Sequence, residues 1–188
     1  MTVAELISNI RIKVNDTDSL TFTDDEILGY INEALKYIEN ILSENNSSII
    51  SSTLELDSSV TVFPADVLRI IKIVNSNKKE LKRVYNTDEV KENEFTVFNN
   101  DIIINDVPSK LYYMQTLERY DRTADEVNIY VPLIEYIIDY VIIKCLSRLE
   151  YNLNIEEQKL QILRQNIITM IRHRDGFPFI KRYDDYYL

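Results

Sequence analysis

Residues 22–42 read FTDDEILGYINEALKYIENIL. Thr23 is placed as a helix N-cap, and Glu26, three residues on, completes a capping box in which side chain and backbone satisfy each other's free groups. Phe22 and Ile27 have the spacing of a hydrophobic staple around that cap. Ile27, Ile31, Leu35, Ile38 and Leu42 then recur at helical spacing, so the segment predicts an amphipathic helix that buries one face. The polar run Ser43 to Ser48 ends it.

Upstream, Val3, Leu6, Ile7, Ile10 and Val14 fall on one face of a shorter helix, and Asn15 to Thr21 reads as a polar loop. Downstream, the pattern changes to short β-prone runs. Ile49 to Leu56 and Val60 to Phe63 flank a turn at Asp57-Ser58. Pro64-Ala65-Asp66 leads into Val67 to Val74, and Ser76 to Lys79 is a turn from which Glu80 to Tyr85 is expected to return as a strand. Glu94 to Phe98 and Asp101 to Ile104 flank Asn99-Asn100, which suits a tight hairpin because Asn tolerates positive φ. Lys110 to Leu117 completes an expected antiparallel β insertion over residues 49–117, with Thr87 to Val90 as a helical turn or loop within it.

The chain then returns to helix. Glu118 to Asn128 is a charged loop, and Pro132 suits a first helical turn. Leu133 to Leu149 is apolar nearly all round, which predicts a central helix. Asn154 and Glu157 repeat the capping-box spacing, and Leu160, Leu163, Ile167, Met170 and Ile171 form one apolar face. The expected fold class is mainly α. It is a four-helix bundle (residues 1–48 plus 118–174) with an inserted antiparallel β subdomain and an extended C-terminal tail (175–188).

That tail reads DGFPFIKRYDDYYL and holds five of the 19 aromatic residues of the chain. Gly176 and Pro178 stop a helix, and such apolar surface at a terminus needs burial, either on its own helices or on another chain. Phe177, Phe179, Ile180, Tyr183, Tyr186 and Tyr187 are the candidate partner anchors, with Lys181 and Arg182 as rim charges that fix register.

Composition narrows the function. Twenty-one Lys and Arg against 31 Asp and Glu give a formal charge of −10 over 188 residues. That disfavours a module held by nucleic-acid phosphates or by an anionic membrane surface. Only two glycines argue against Gly-rich phosphate loops. The stretch after Met1 is amphipathic and partly acidic, unlike a secretory leader, and one cysteine, Cys145, fits a reducing compartment. His173, the single histidine, lies between Arg172 and Arg174, where cations disfavour a metal. The Asp16 to Glu26 stretch invites a calcium reading but lacks the glycine and ligand spacing of such loops. Asp184-Asp185 are adjacent and held against no pocket. No catalytic, cofactor or metal constellation is read, so the expectation is no enzyme. A small acidic regulator that sequesters a basic protein partner is one reading of such a chain, and it predicts a discrete monomer or dimer.

The order of segments resembles phage head–tail connector (adaptor) proteins. The likeness is carried by Thr2 to Asp16 (TVAELISNIRIKVND), Phe22 to Ala34 (FTDDEILGYINEA), Phe63 to Ile70 (FPADVLRI) and Val131 to Arg148 (VPLIEYIIDYVIIKCLSR). The resemblance implies a virion protein present in the host cytoplasm during assembly. It implies a ring, expected to be a dodecamer, beneath the portal protein, with a tail or further connector protein below. It also implies that the C-terminal segment reaches the portal, that DNA passes without sequence-specific binding, and that there is no catalysis, cofactor or membrane.

Overall fold

The computed structural model describes residues 1–85, 90–150 and 153–175. Two compact units are present: one comprises Met1–Ile49 and the chain from Leu117 onward, the other Ile50–Thr116. The first is built from helices α1 (Val3–Val14), α2 (Asp24–Glu44), α3 (Pro132–Glu150) and α4 (Leu153–Asp175). The second holds strands β1 (Ser51–Leu56), β2 (Val60–Val62), β3 (Val67–Asn75), β4 (Lys82–Arg83), β5 (Glu94–Phe98), β6 (Asp101–Ile104) and β7 (Ser109–Gln115).

The start of α2 follows its sequence signal. The Thr23 backbone N–H donates to Glu26 Oε2 at 2.9 Å, and the Glu26 N–H donates to Thr23 Oγ1 at 3.2 Å. Phe22 and Ile27 are both buried beside the cap. α1 starts on a second capping box, Thr2 with Glu5, that the periodicity alone did not flag. Between the helices the loop is folded around Asp16. Its carboxylate accepts from the backbone N–H groups of Leu20, Thr21 and Phe22 and from Arg11 Nη1 at 2.8 Å. Arg11 Nη2 reaches on to the Phe22 carbonyl and Asp24. Arg11 and Asp16 are both buried, so each charge is held by its partners in place of water.

α3 packs on all three other helices and buries Leu133, Ile137, Ile138, Tyr140, Val141 and Cys145. It starts at Pro132, whose missing N–H costs nothing at a first turn. α4 begins at Leu153, so Asn154 lies inside its first turn and does not cap it. Glu156, not Glu157, makes the polar link to α3, accepting from Lys144 Nζ at 2.9 Å and from the Ser147 hydroxyl. α4 runs through Asp175, one residue into the segment assigned to the tail. There the carboxylate accepts from Ser47 Oγ, Ser48 N–H and Ser48 Oγ.

After the β unit, the chain returns along α2. Glu39, buried, accepts from the Leu117 N–H at 2.7 Å and from Arg119 Nη2 at 3.2 Å. The Asn32 amide makes two bonds to the Tyr120 backbone, donating to its carbonyl at 2.8 Å and accepting from its N–H at 3.0 Å. Farther on, the Val3 and Ala4 N–H groups donate to Asp125 and Thr123 carbonyls, which ties the loop to the start of α1.

The β unit corrects the expected fold class. The chain is a mixed α/β fold, not a mainly α four-helix bundle with a small inserted subdomain: among the described residues seven strands form two sheets, β1-β7-β3 and β2-β6-β5-β4. Nor is the insertion wholly antiparallel, because β4 pairs parallel to β5. The reason lies in the inward residues. Leu56, Ile73, Leu111 and Tyr113 from one sheet and Phe95, Ile102 and Ile104 from the other share one core, so each short run needs a second layer to cover it. The Asn99-Asn100 turn has φ of 47° and 70°, as a two-residue hairpin requires. Glu80 to Tyr85 does not return as a hairpin strand. Of that run only Leu81 is buried, a single bridge joins Val74 to Glu80, and pairing passes to β5 at Lys82-Arg83.

Two outcomes follow from these contacts. Asn32→Ala removes both bonds to Tyr120 and leaves a buried backbone group unmet, at a cost of about 2 kcal/mol in urea unfolding. Asn32→Asp, which keeps the acceptor and loses the donor, falls between that variant and the parent. Second, four carboxyls lie below their ordinary values, 3.8 for Asp and 4.5 for Glu. Burial alone would raise Asp16 and Asp175, but hydrogen bonds from Thr21 and Phe22, and from Ser48 and Ser47, outweigh it. Glu26 is lowered by the Thr23 N–H and Arg148, and Glu156 by Ser147 and Lys144. Depressed carboxyls stabilise the fold above their unfolded pKa, and that contribution disappears as pH falls through the folded value. Thermal stability is therefore expected to hold above about pH 5 and to decline steadily below it. A melting temperature unchanged down to about pH 3 would contradict this.

Candidate partner-docking surface

Phe177, Phe179, Ile180, Lys181, Arg182, Tyr183, Tyr186 and Tyr187, the residues expected to anchor a partner, lie outside the described residues, as do Asp184-Asp185 and the Thr87–Glu89 part of the Thr87–Val90 turn or loop. The described residues define the point from which that segment departs. Asp175 closes α4 against Ser47 and Ser48 at the end of α2, so the last helical residue is fixed by three hydrogen bonds.

Next to this point lies a depression lined by Tyr130, Pro132, Tyr136, Met170, His173 and Arg174. The Arg174 guanidinium sits over the Tyr130 ring, 4.4 Å from its centroid, a cation–π contact at the end of α4. Farther along α4, Ile142, Ile143, Leu146 and Leu163 floor a groove of about 290 Å³ between α3 and α4, with Asp139 and Lys159 at its edges. Asn166 borders both features, so they adjoin along one side of α4. Burial raises the Asp139 carboxyl, against the pull of Lys13.

Tyr130, Tyr136 and Tyr140, at near-helical spacing around the start of α3, divide in their surroundings. Tyr140 is buried and its ring lies 5.2 Å from that of Tyr37, whose hydroxyl donates to the Leu160 carbonyl. Tyr136 is half-buried, and Tyr130 is exposed beneath Arg174. Cys145 is fully buried in α3, and burial pushes its thiol up to about 11, a setting for an inert core thiol. In the Asp16 to Glu26 stretch, Asp16 points inward to N–H donors and Arg11, while Asp24, Asp25 and Glu26 occupy the first turn of α2. Among the described residues no group of three or more His, Cys, Asp or Glu is arranged to hold a metal ion. No described helix is long and apolar enough to cross a membrane.

Asn32 and Glu39 are the structural residues that periodicity missed. They stand seven apart, on one edge of the α2 apolar stripe, and polar residues kept in register with a buried face are the signal that could have exposed them. The chemistry of the described surface is that of contact: an apolar groove, amide side chains and a cation over a tyrosine ring.

A family model for the SU10 adaptor protein matches residues 1–176. No curated protein sequence matches the chain. The family match takes in both units, from the capped α1 to the residue after Asp175, and ends where the aromatic segment begins. The chain belongs to the SU10 adaptor protein family, a family of phage head–tail adaptors.

Proposed function

We propose that the chain is a structural head–tail connector that forms a ring beneath the portal protein, joins it to the tail and lets DNA pass. Membership in the family makes it a virion component that contacts other virion structural proteins. The finer reading is supported above all by the extent of the family match, which spans all the described residues and leaves the aromatic residues 177–188 beyond it. In this reading the matched part is the scaffold, and Phe177, Phe179, Ile180, Tyr183, Tyr186 and Tyr187 dock on the portal, with Lys181 and Arg182 at the rim.

The physical terms are consistent with such work. Asp175, the last described residue before that segment, is pinned to Ser47 and Ser48. Large aromatic side chains supply anchor area at little rotamer cost. A net charge of −10 repels phosphates, so a duplex threaded through a ring of such subunits slides and is not held. Assembly in the host cytoplasm, a dodecameric ring and a further connector or tail protein below complete the proposal. No reaction is assigned.

Truncation after Asp175 tests it. The shortened protein keeps the Asp175 contacts, and its melting temperature is expected to match that of the full chain. It should no longer join portal-bearing heads in an assembly assay read by electron microscopy. Normal joining by the truncated protein, or failure of that protein to fold, would overturn the role given to the tail.

A further inference from the structure

α1 and α4 each pack on both α2 and α3 and make no comparable contact with one another. They therefore occupy different flanks of the α2–α3 pair, and each turns a free face outward. On α4 the exposed residues between Glu157 and Arg172 are Gln158, Gln161, Ile162, Gln165, Asn166 and Thr169, none of them charged. In a chain that is 28% charged, a solvent-facing stripe about three turns long without a charge is unusual, and depletion of charge marks the centre of interfaces. Ile162 is 62% exposed on this stripe, beside the α3–α4 groove. Lys159, Arg164, Arg172 and Arg174 make residues 158–174 a basic stretch without a carboxylate, in a protein of net charge −10, with Arg164 already paired to Glu44 of α2.

The α1 flank is its complement. Ala4, Ser8 and Ile12 recur at every fourth residue of its exposed face, and Ile12 is 64% exposed. The small side chains of Ala4 and Ser8 let another helix approach closely, leaving Ile12 as the protruding apolar residue. Glu5 lies on the same helix. Glu118, Asp125 and Glu126 gather beside its start, where the Thr2–Glu126 bridge and the Val3 to Asp125 hydrogen bond hold the loop.

We propose that a second copy of this chain docks between these flanks: the α1 face of one copy lies on the α4 stripe of the next. Ile12 enters the α3–α4 groove near Ile162, and the acidic residues around the start of α1 face the basic residues of α4. The two faces differ, so the contact is heterologous and each copy keeps one face free for another, which is the arrangement that closes into rings. The inference rests on the proposed ring and names the surface that builds it. The acidic groups lie at the start of α1, while Lys13 beside Ile12 is exposed and paired with Glu135, and repulsion between two such acidic starts disfavours pairing of like faces.

Cysteine cross-linking of the full chain tests it, with Ser8→Cys on one flank and Gln165→Cys on the other. Cys145 is buried and its thiol is held at about 11, so a short bismaleimide reacts at the introduced positions. Mixing the two single variants should give a linked pair, each single variant alone should stay monomeric on a denaturing gel, and the double variant should give a ladder. High salt should weaken linking, because the steering charges are exposed. Ile12→Glu, at an exposed position, should abolish association in light scattering without changing the melting temperature. Pairs formed by one single variant with itself would overturn the inference, as would an oligomer without the mixed link. A monomer without any link would overturn it too. In that last case, Gln165→Cys labelled faster after truncation at Asp175 would make the chain's own tail the occupant of the groove. Portal joining is read separately by the truncation assay, so the ring contact and the portal role can fail independently.

Discussion

The helical unit depends on how the chain re-enters it after the β excursion. Asn32 and Glu39 stand seven residues apart on α2, two turns and about 10.5 Å along the axis. Leu117 and Tyr120, which they hold, are three residues apart, about 10 Å in an extended chain. The match lets one helix grip one strand-like segment at both ends, with Glu39 on the Leu117 N–H and Asn32 on both backbone groups of Tyr120. Tyr120 is buried as a result, and its hydroxyl accepts from the Asn128 N–H, which sets the following loop. That loop pairs with the start of α1 and delivers Pro132 to the head of α3. Excision of these two polar side chains would leave α2 without its partner segment, and an apolar stripe alone would not fix the register.

This division of labour explains what was legible in the sequence. Capping and periodicity are local, so α1, α2 and the Pro132 start of α3 could be read from spacing, as could the Asn99-Asn100 turn. The role of Asn32 and Glu39 could not, because their partners lie 88 and 78 residues away. The same holds for the sheets. The hairpin turn gives Asp101–Ile104 its partner β5, but a run such as Val60–Val62 announces only a strand, and nothing in three residues says that it pairs with β6 or that two layers form. Leu153 opens α4 where Asn154 offered a plausible cap, and Glu156 works where Glu157 had the capping-box spacing. The groove between α3 and α4 was hidden for a different reason: an apolar helix reads as fully central, and the sequence does not show that Ile142, Ile143 and Leu146 stay half-buried. The tail residues were the easiest to single out from the sequence, and they lie outside the described residues.

Function follows from what the polar groups are occupied with. The buried charges, Arg11 with Asp16, and Glu39 with the half-buried Arg119, are committed to loop and backbone contacts, and burial pushes the Cys145 thiol up to about 11. What the helical unit offers outward is a groove, an uncharged stripe rich in amides, a group of acidic residues at the start of α1 and a pinned Asp175. These are features of a part that fits between other parts, and they agree with membership in an adaptor family. Rigidity matters in such a part, because a connector must carry the geometry of one ring to the next, and the capping boxes, the Asp16 loop and the Asp175 link all act against fraying of helix ends.

Cryo-electron microscopy of the connector of a virion that carries this chain tests the account most directly. The account predicts a closed ring of copies between portal and tail, with density that fits the helical unit and the β unit. A connector in which neither unit fits, or copies of the chain found only elsewhere in the particle, would contradict it.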